Sequence, residues 1–307
     1  MGVFDNIGQA VGQTVNKGLD AMSGATANAL VTHAPFVQSF MHLCDDGWLQ
    51  GWHERNGGNL TYRMNADEVK SVRSSFSDTP GEWVALGFSE PTLAGAFFLV
   101  TGSGAYLHNV SAAPAENIGI VEMNADGSAY RVVWGLVGRK PTSELPTHIM
   151  NHAIRMAATD GACRVIYHAH PNNVIAMTFV EPLDARSFSR ALWKAMTECV
   201  VVFPEGVGVV PWMVPGGNEI AKETSEQMKT YSAVIWAQHG MFVSGSTFDE
   251  TFGLMHCIEK AADIYHRARS MNGGSTDFLN TITDEGLAQI GVEFGVEINK
   301  DFLDLDR

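Results

Sequence analysis

The sequence predicts an α/β domain in which helices cover a mixed, largely antiparallel sheet. Two patterns carry this. Short runs rich in Val, Ile and aromatic residues alternate with amphipathic runs along most of the chain. The strands also follow one another as hairpins do, which argues against a doubly wound parallel sheet. The 307 residues, 45% of them hydrophobic, suffice for one large domain or two small ones.

Residues 1–33 read as an extension to a domain that occupies 34–307. Phe4, Ile7, Val11, Val15, Leu19 and Met22 step by three or four, an amphipathic helical pattern weakened by Gly8, Gly12 and Gly18. Gly24 and the small residues after it suit a linker. A helix with Phe36, Phe40, Cys44 and Trp48 on one face then runs to the loop "RNGGN", 55–59. Strands are expected at "NLTYRM", "GAFFLVTG", "IGIVEM", "YRVVWGL", "RVIYHAH", "ECVVVF" and "AVIWAQ". Helices are expected to begin near Ser143, Leu183, Asn218 and Thr247, the last with a Thr247–Glu250 capping box.

The chemistry begins at "VIYHAH". Residues two apart in a strand point to one face, so His168 and His170 would stand side by side as two neutral nitrogen ligands. The bland alternative is a pair of hydrogen-bonded core histidines. Metallo-β-lactamase-like hydrolases continue such a pair with Asp-His and cupins with a nearby Glu; here Pro171, Asn172 and Asn173 follow. Among the eleven histidines, His239, between an apolar strand and Gly240, is the best third ligand. His148 and His152 compete at helical i,i+4 spacing, but their flanks suit a packed helix. Glu144 opens that helix, where a carboxylate is common for dipole reasons alone. It is also the candidate proton carrier beside a metal.

Three polar turns adjoin strands or a helix start: "ERNGGNLT", "VTGSG" and "PTSEL". Such turns can cradle a phosphate with N–H groups, amides and hydroxyls. Each alone is more often an ordinary tight turn.

The formal net charge of −14 disfavours nucleic acid as a partner. No apolar run approaches the ~20 residues of a membrane span, and the N-terminus carries no secretory pattern. Four scattered cysteines suit reduced thiols in the cytoplasm. The N-terminal extension suits docking to a partner, including the shell of a bacterial microcompartment. Packing on the protein's own assembly is the plainer alternative.

Taken in order, "GWHERNGGNLT", "VTGSG", "PTSELPTH", "VIYHAH", "TECVVVFPEGVGVVPWMVPG", "QHG" and "DETFGL" resemble the class II sugar-phosphate aldolases. The resemblance covers about residues 34–300 and leans to the rhamnulose phosphate branch rather than the fuculose phosphate branch. It implies the three-layer α/β/α class II aldolase/adducin-like fold, assembled as a homotetramer. It further implies one Zn²⁺ per subunit on His168, His170 and His239, with Glu144 catalytic and an additional ligand when substrate is absent. Asn56, Gly58, Asn59, Ser103, Thr142 and Ser143 would hold the phosphate of a small sugar phosphate. Glu198 of a neighbouring subunit would handle the aldehyde oxygen, although its own context reads as an edge-strand charge. The reaction implied is retro-aldol cleavage of L-rhamnulose 1-phosphate. The alternatives are a related sugar-phosphate aldolase, a 4-epimerase of the same superfamily, or a non-catalytic adducin-like binding module.

Overall fold

The computed structural model describes residues 28–305. The helical stripe expected over residues 4–22 lies outside the described residues. Residues 28–32, expected in the linker, are helical, and Val31 is fully buried. Asn28 Oδ1 also accepts from Trp134 Nε1 at 3.1 Å. Part of the stretch read as linker is thus helical and packed, with Val31 in the core.

The described chain runs α1 (Pro35–Leu49), β1 (Asn59–Arg63), α2 (Ala66–Val72), β2 (Val84–Ala85), β3 (Phe97–Thr101) and α3 (Pro114–Asn117). It continues through β4 (Ile118–Met123), β5 (Ala129–Gly135), α4 (Leu145–Ala158), β6 (Val165–Ala169), α5 (Asn172–Met177), α6 (Ala185–Ala195) and α7 (Glu198–Val202). It closes with β7 (Gly208–Val210), α8 (Asn218–Met228), β8 (Ala233–Trp236), β9 (Gly240–Gly245), α9 (Phe248–Met271) and α10 (Asp284–Phe294). One nine-stranded sheet has the order β2-β5-β4-β3-β1-β6-β9-β8-β7. The β7–β8 pair is parallel and the other pairs are antiparallel.

Strand alternation sorts the side chains into two faces. Leu60, Tyr62, Leu99, Val165 and Tyr167 join residues of α1, α6 and α9 in one core. Phe98 and Val100 pack with Leu145, Ile149 and Ala153 of α4, and Ile166, Val234 and Phe242 with Ile220 and Met228 of α8. The result is three layers, α/β/α. No helix among the described residues is long and apolar enough to cross a membrane.

"ECVVVF" is not a strand: residues Glu198–Val202 form α7. A short apolar run cannot be assigned by periodicity alone. Here packing decides, with Cys199 and Val200 buried and Cys199 Sγ 3.9 Å from Cys257 Sγ of α9. The strand of this block is β7, further along. Helix α1 ends at Leu49, before the loop expected to stop it, and Trp48 stays 40% exposed, its ring 4.5 Å from that of His108 and tilted 38° to it. The α9 cap is half a capping box. Thr247 accepts from the Glu250 N–H at 3.1 Å, while the Glu250 carboxylate accepts a hydrogen bond from the Ser246 hydroxyl instead.

The C-terminal helix is tied down by charge. Asp284, at the start of α10, accepts from Arg190 of α6 at 2.6 Å and meets Lys194 Nζ at 2.6 Å. Burial opposes its ionised form, yet these donors win and bring the carboxyl from 3.8 to about 2. A lowered folded-state value means stability that is present above the ordinary carboxylate range and lost as pH falls through it. Asp284→Asn is therefore expected to cost about 2 kcal/mol at pH 7, since it leaves two partly buried cations without their counter-charge. Urea titrations should find the difference shrinking between about pH 4 and pH 2. A difference independent of pH would remove the ion pair as its cause.

Candidate active site

The site lies at one end of the sheet, and antiparallel pairing puts it there. The start of β1 adjoins the ends of β3 and β6, with Asn59 opposite His168 and Thr61 opposite Val100. The end of β6 adjoins the start of β9, with Ala169 opposite Met241. Residues 237–239 form the tight turn between β8 and β9, so His239 is delivered to the same end.

Three imidazoles meet there. One nitrogen from each of His168, His170 and His239 lies within 4.8 Å of the others. The Nε2 atoms of His168 and His239 are 3.3 Å apart. His168 Nδ1 donates to the Met241 carbonyl at 3.1 Å, which fixes its tautomer and turns the bare Nε2 inward. His170 Nδ1 lies 2.7 Å from Glu54 Oε1, and its backbone N–H bonds the Trp52 carbonyl at 3.0 Å. The ring of His168 stacks on Phe242 at 4.2 Å. Before His239, Gln238 occupies the left-handed region with φ 56°. Such backbone costs a non-glycine residue about 1–3 kcal/mol and needs anchoring. Thr178 supplies the anchor, its Oγ1 accepting from the Gln238 N–H and its carbonyl from Gln238 Nε2, both at 3.0 Å.

The electrostatics suit a cation. Burial and the neighbouring imidazoles hold His168 well below the ordinary histidine value, and burial with His170 brings His239 to about 4. Both rings are thus neutral at pH 7, with lone pairs free. Converging bare nitrogens, each ring held from behind by an oxygen or a fixed turn, are what a three-histidine zinc centre requires.

Glu144 is buried at the start of α4, its Oε2 3.7 Å from His168 Nε2. Burial raises its pKa above the ordinary carboxylate value, and an N–H from Asn59 at 2.7 Å and the nearby His170 act against that. It joins the three clustered imidazoles because α4 covers the sheet face on which the even-numbered residues of β6 stand.

The three polar turns also come together. Gly102 bridges Pro141, the Ser103 N–H bonds the Lys140 carbonyl at 2.8 Å, and the Thr142 N–H bonds the Thr101 carbonyl at 2.9 Å. Asn56 and Ser143 are exposed, and Gly58 has φ 75°. A Cβ at Gly58 would lie 2.4 Å from His53 Nδ1 and 2.7 Å from the His168 carbonyl, so only glycine lets this loop pass. Asn59 differs from expectation in one respect: its side-chain amide is given to Glu144. Glu198 stands exposed on the first turn of α7, without a hydrogen bond or ion pair among the described residues. His148 and His152 turn into the protein, both on the Thr61 hydroxyl at 2.8 and 2.9 Å, and are not among the clustered ligand atoms.

Several supporting groups escaped the sequence reading. Glu54, the Met241 carbonyl and Thr178 have no signal of their own, since each acts through a neighbour remote in the chain. His53 is similar: fully buried, it links the Tyr167 hydroxyl at 2.7 Å to the Gly57 carbonyl at 3.0 Å and so shapes the 54–58 loop.

Comparison with known proteins agrees with this arrangement. Residues 38–266 match the family described as Class II Aldolase and Adducin N-terminal domain. Rhamnulose-1-phosphate aldolase of Enterobacter sp. (strain 638) is 45% identical over 276 residues, which cover 90% of this chain and 98% of the relative. The protein of that name from Citrobacter koseri is 46% identical, over 87% of this chain and 95% of its own length. Among solved structures, a sugar-phosphate aldolase from Thermotoga maritima superposes with a TM-score of 0.63 at 25% identity, covering 76% of this chain and 94% of that one. The chain belongs to the class II aldolase and adducin N-terminal domain family, close to the rhamnulose-1-phosphate aldolases.

Proposed function

We infer that this chain catalyses the reversible cleavage of L-rhamnulose 1-phosphate to dihydroxyacetone phosphate and L-lactaldehyde, a step of rhamnose catabolism. The observation that carries the reading is the convergence of three imidazoles beside one buried carboxylate, in a chain 45% identical to rhamnulose-1-phosphate aldolases along nearly its whole length.

We propose zinc as the metal, held by His168, His170 and His239, because three neutral nitrogen donors suit it. Bound there it would act as a Lewis acid on the ketone oxygen of the substrate. The remaining work falls to the chain. Asn56, Gly58, Asn59, Ser103, Thr142 and Ser143 hold the phosphate with backbone N–H groups, an amide and hydroxyls, which suits an acidic protein with an anionic substrate. As the C3–C4 bond breaks, a base takes the proton of the C4 hydroxyl, whose oxygen becomes the aldehyde oxygen, and Glu144 gives its proton to C3 of the dihydroxyacetone phosphate fragment; in synthesis both transfers reverse. Burial pushes its pKa upward, in the direction that favours the protonated form such a donor needs. Glu198 reaches the aldehyde oxygen from a neighbouring subunit of a homotetramer.

Incubation with L-rhamnulose 1-phosphate tests the reading. Free lactaldehyde and dihydroxyacetone phosphate are expected in equal amounts, abolished by a chelator and restored by zinc. Conversion to an isomeric sugar phosphate without free aldehyde would make the chain a 4-epimerase. No turnover and no bound metal would make it a binding module.

A further inference from the structure

We propose that His148 is a positioning residue that acts through Asn59 to hold the Glu144 carboxylate in its working orientation. The proposal rests on Glu144 as the proton carrier and adds what keeps it in place.

The argument is one of hydrogen-bond direction. Asn59 Nδ2 donates to Glu144 Oε2 at 2.7 Å. The amide oxygen of Asn59 therefore faces away, where it meets His148 Nε2. An oxygen cannot donate, so the His148 proton sits on Nε2, and Nδ1 of the neutral ring is bare. Thr61 Oγ1, 2.8 Å from that Nδ1, must donate to it. With its only proton spent, Thr61 can only accept from His152 Nε2, at 2.9 Å. Every link dictates the next, and none can reverse alone. His148, His152 and Thr61 are fully buried, and Asn59 and Glu144 nearly so, so no water can substitute. Burial also brings His148 to about 3, which keeps the ring neutral as the chain of bonds requires. The chain ends on His152 Nδ1, buried without a partner among the described residues.

The consequence reaches the reacting proton. A flipped Asn59 would set its carbonyl oxygen against Glu144, repelling the ionised carboxylate and tying up the proton of the neutral acid. His148 selects the other orientation. Asn59 then occupies one carboxylate oxygen and leaves the second to carry the proton. The i,i+4 spacing of His148 and His152, which suited a ligand pair, instead places both rings on the face of α4 that covers Thr61.

Two variants of similar size separate this from plain packing. His148→Gln places an amide N–H where the imidazole Nε2–H was and keeps the donor to Asn59. His148→Asn reaches only as far as Nδ1 and loses it. His148→Asn is expected to lower kcat about 30-fold, in line with losses at residues that orient a site, with KM and zinc content unchanged. His148→Gln should stay within about threefold of the native kcat. In an Asn59→Ser background the two should be equal, because the intermediary is gone. Equal rates in the native background, or a difference that survives Asn59→Ser, would overturn the proposal. Neutron diffraction of the unaltered protein gives a readout that needs no variant to fold. Deuterium on His148 Nε2 and on Asn59 Nδ2 facing Glu144 supports it, and deuterium on His148 Nδ1 overturns it. If Glu144 is not the proton carrier, Glu144→Gln remains active whatever His148 does, so the two failures are distinct.

Discussion

Glu144→Gln is expected to bind zinc at full stoichiometry and to lose about 10³-fold in kcat, the upper-middle range for removing a general acid–base group. The three imidazoles do not depend on the carboxylate: His168 is oriented by the Met241 carbonyl and His170 by Glu54 and the Trp52 carbonyl. The amide fills the same space and can still accept from Asn59, so folding should be little changed. What it cannot do is carry a proton. Metal analysis and steady-state kinetics on one preparation decide the matter, and native turnover with native zinc would reject the role. The same variant probes the shared site. Glu198→Gln should also be inactive and zinc-loaded. In a cyclic assembly each interface joins two different faces, so co-expression of the two inactive chains restores a site wherever an intact Glu144 face meets an intact Glu198 face. Random assembly would recover roughly a quarter of native activity. Mixed tetramers no more active than their parents would place the whole site in one subunit.

His170→Ala is expected to abolish both metal and turnover. Two imidazoles rarely hold zinc tightly, and the two that remain would be left as bare, closely spaced nitrogens. The melting temperature of the zinc-loaded protein should fall toward that of the chelated protein, because the native state no longer gains from binding. Retention of one zinc per chain would dismiss the ligand assignment. Glu54→Gln is the milder companion. It keeps the imidazole and weakens only the charge behind it, so metal affinity should drop about 10- to 100-fold with turnover at saturating zinc retained.

Much of the architecture was legible in short stretches. β1, β3, β4, β5, β6 and β8 fall where alternating or continuous apolar runs put them, because a strand's period of two is written in neighbouring residues. Residues 198–203 misled for the same reason in reverse. Cys199, Val200 and their neighbours are apolar in any conformation, and contact with Cys257, 58 positions on, settles them as helix. The pair His168 and His170 was local too: two residues apart, at the end of a strand, they had to share a face. His239 could be ranked as a third candidate from its turn, yet nothing in its neighbours measures the 3.3 Å that separates it from His168.

By itself, then, the sequence determined the layered α/β class, the strand that carries two imidazoles, the polar turns and the resemblance that joined them. Those features depend on residues within a few positions of one another. Tertiary structure alone decided that three turns and two strand ends share one end of the sheet, since antiparallel register is set by partners as far apart as Asn59 and His168. It alone decided that Glu54 backs His170 and that His148 and His152 hydrogen-bond Asn59 and Thr61. A hydrogen bond binds donor to acceptor through space over about 3 Å, whatever the length of chain between them, and that distance is created only when the chain folds.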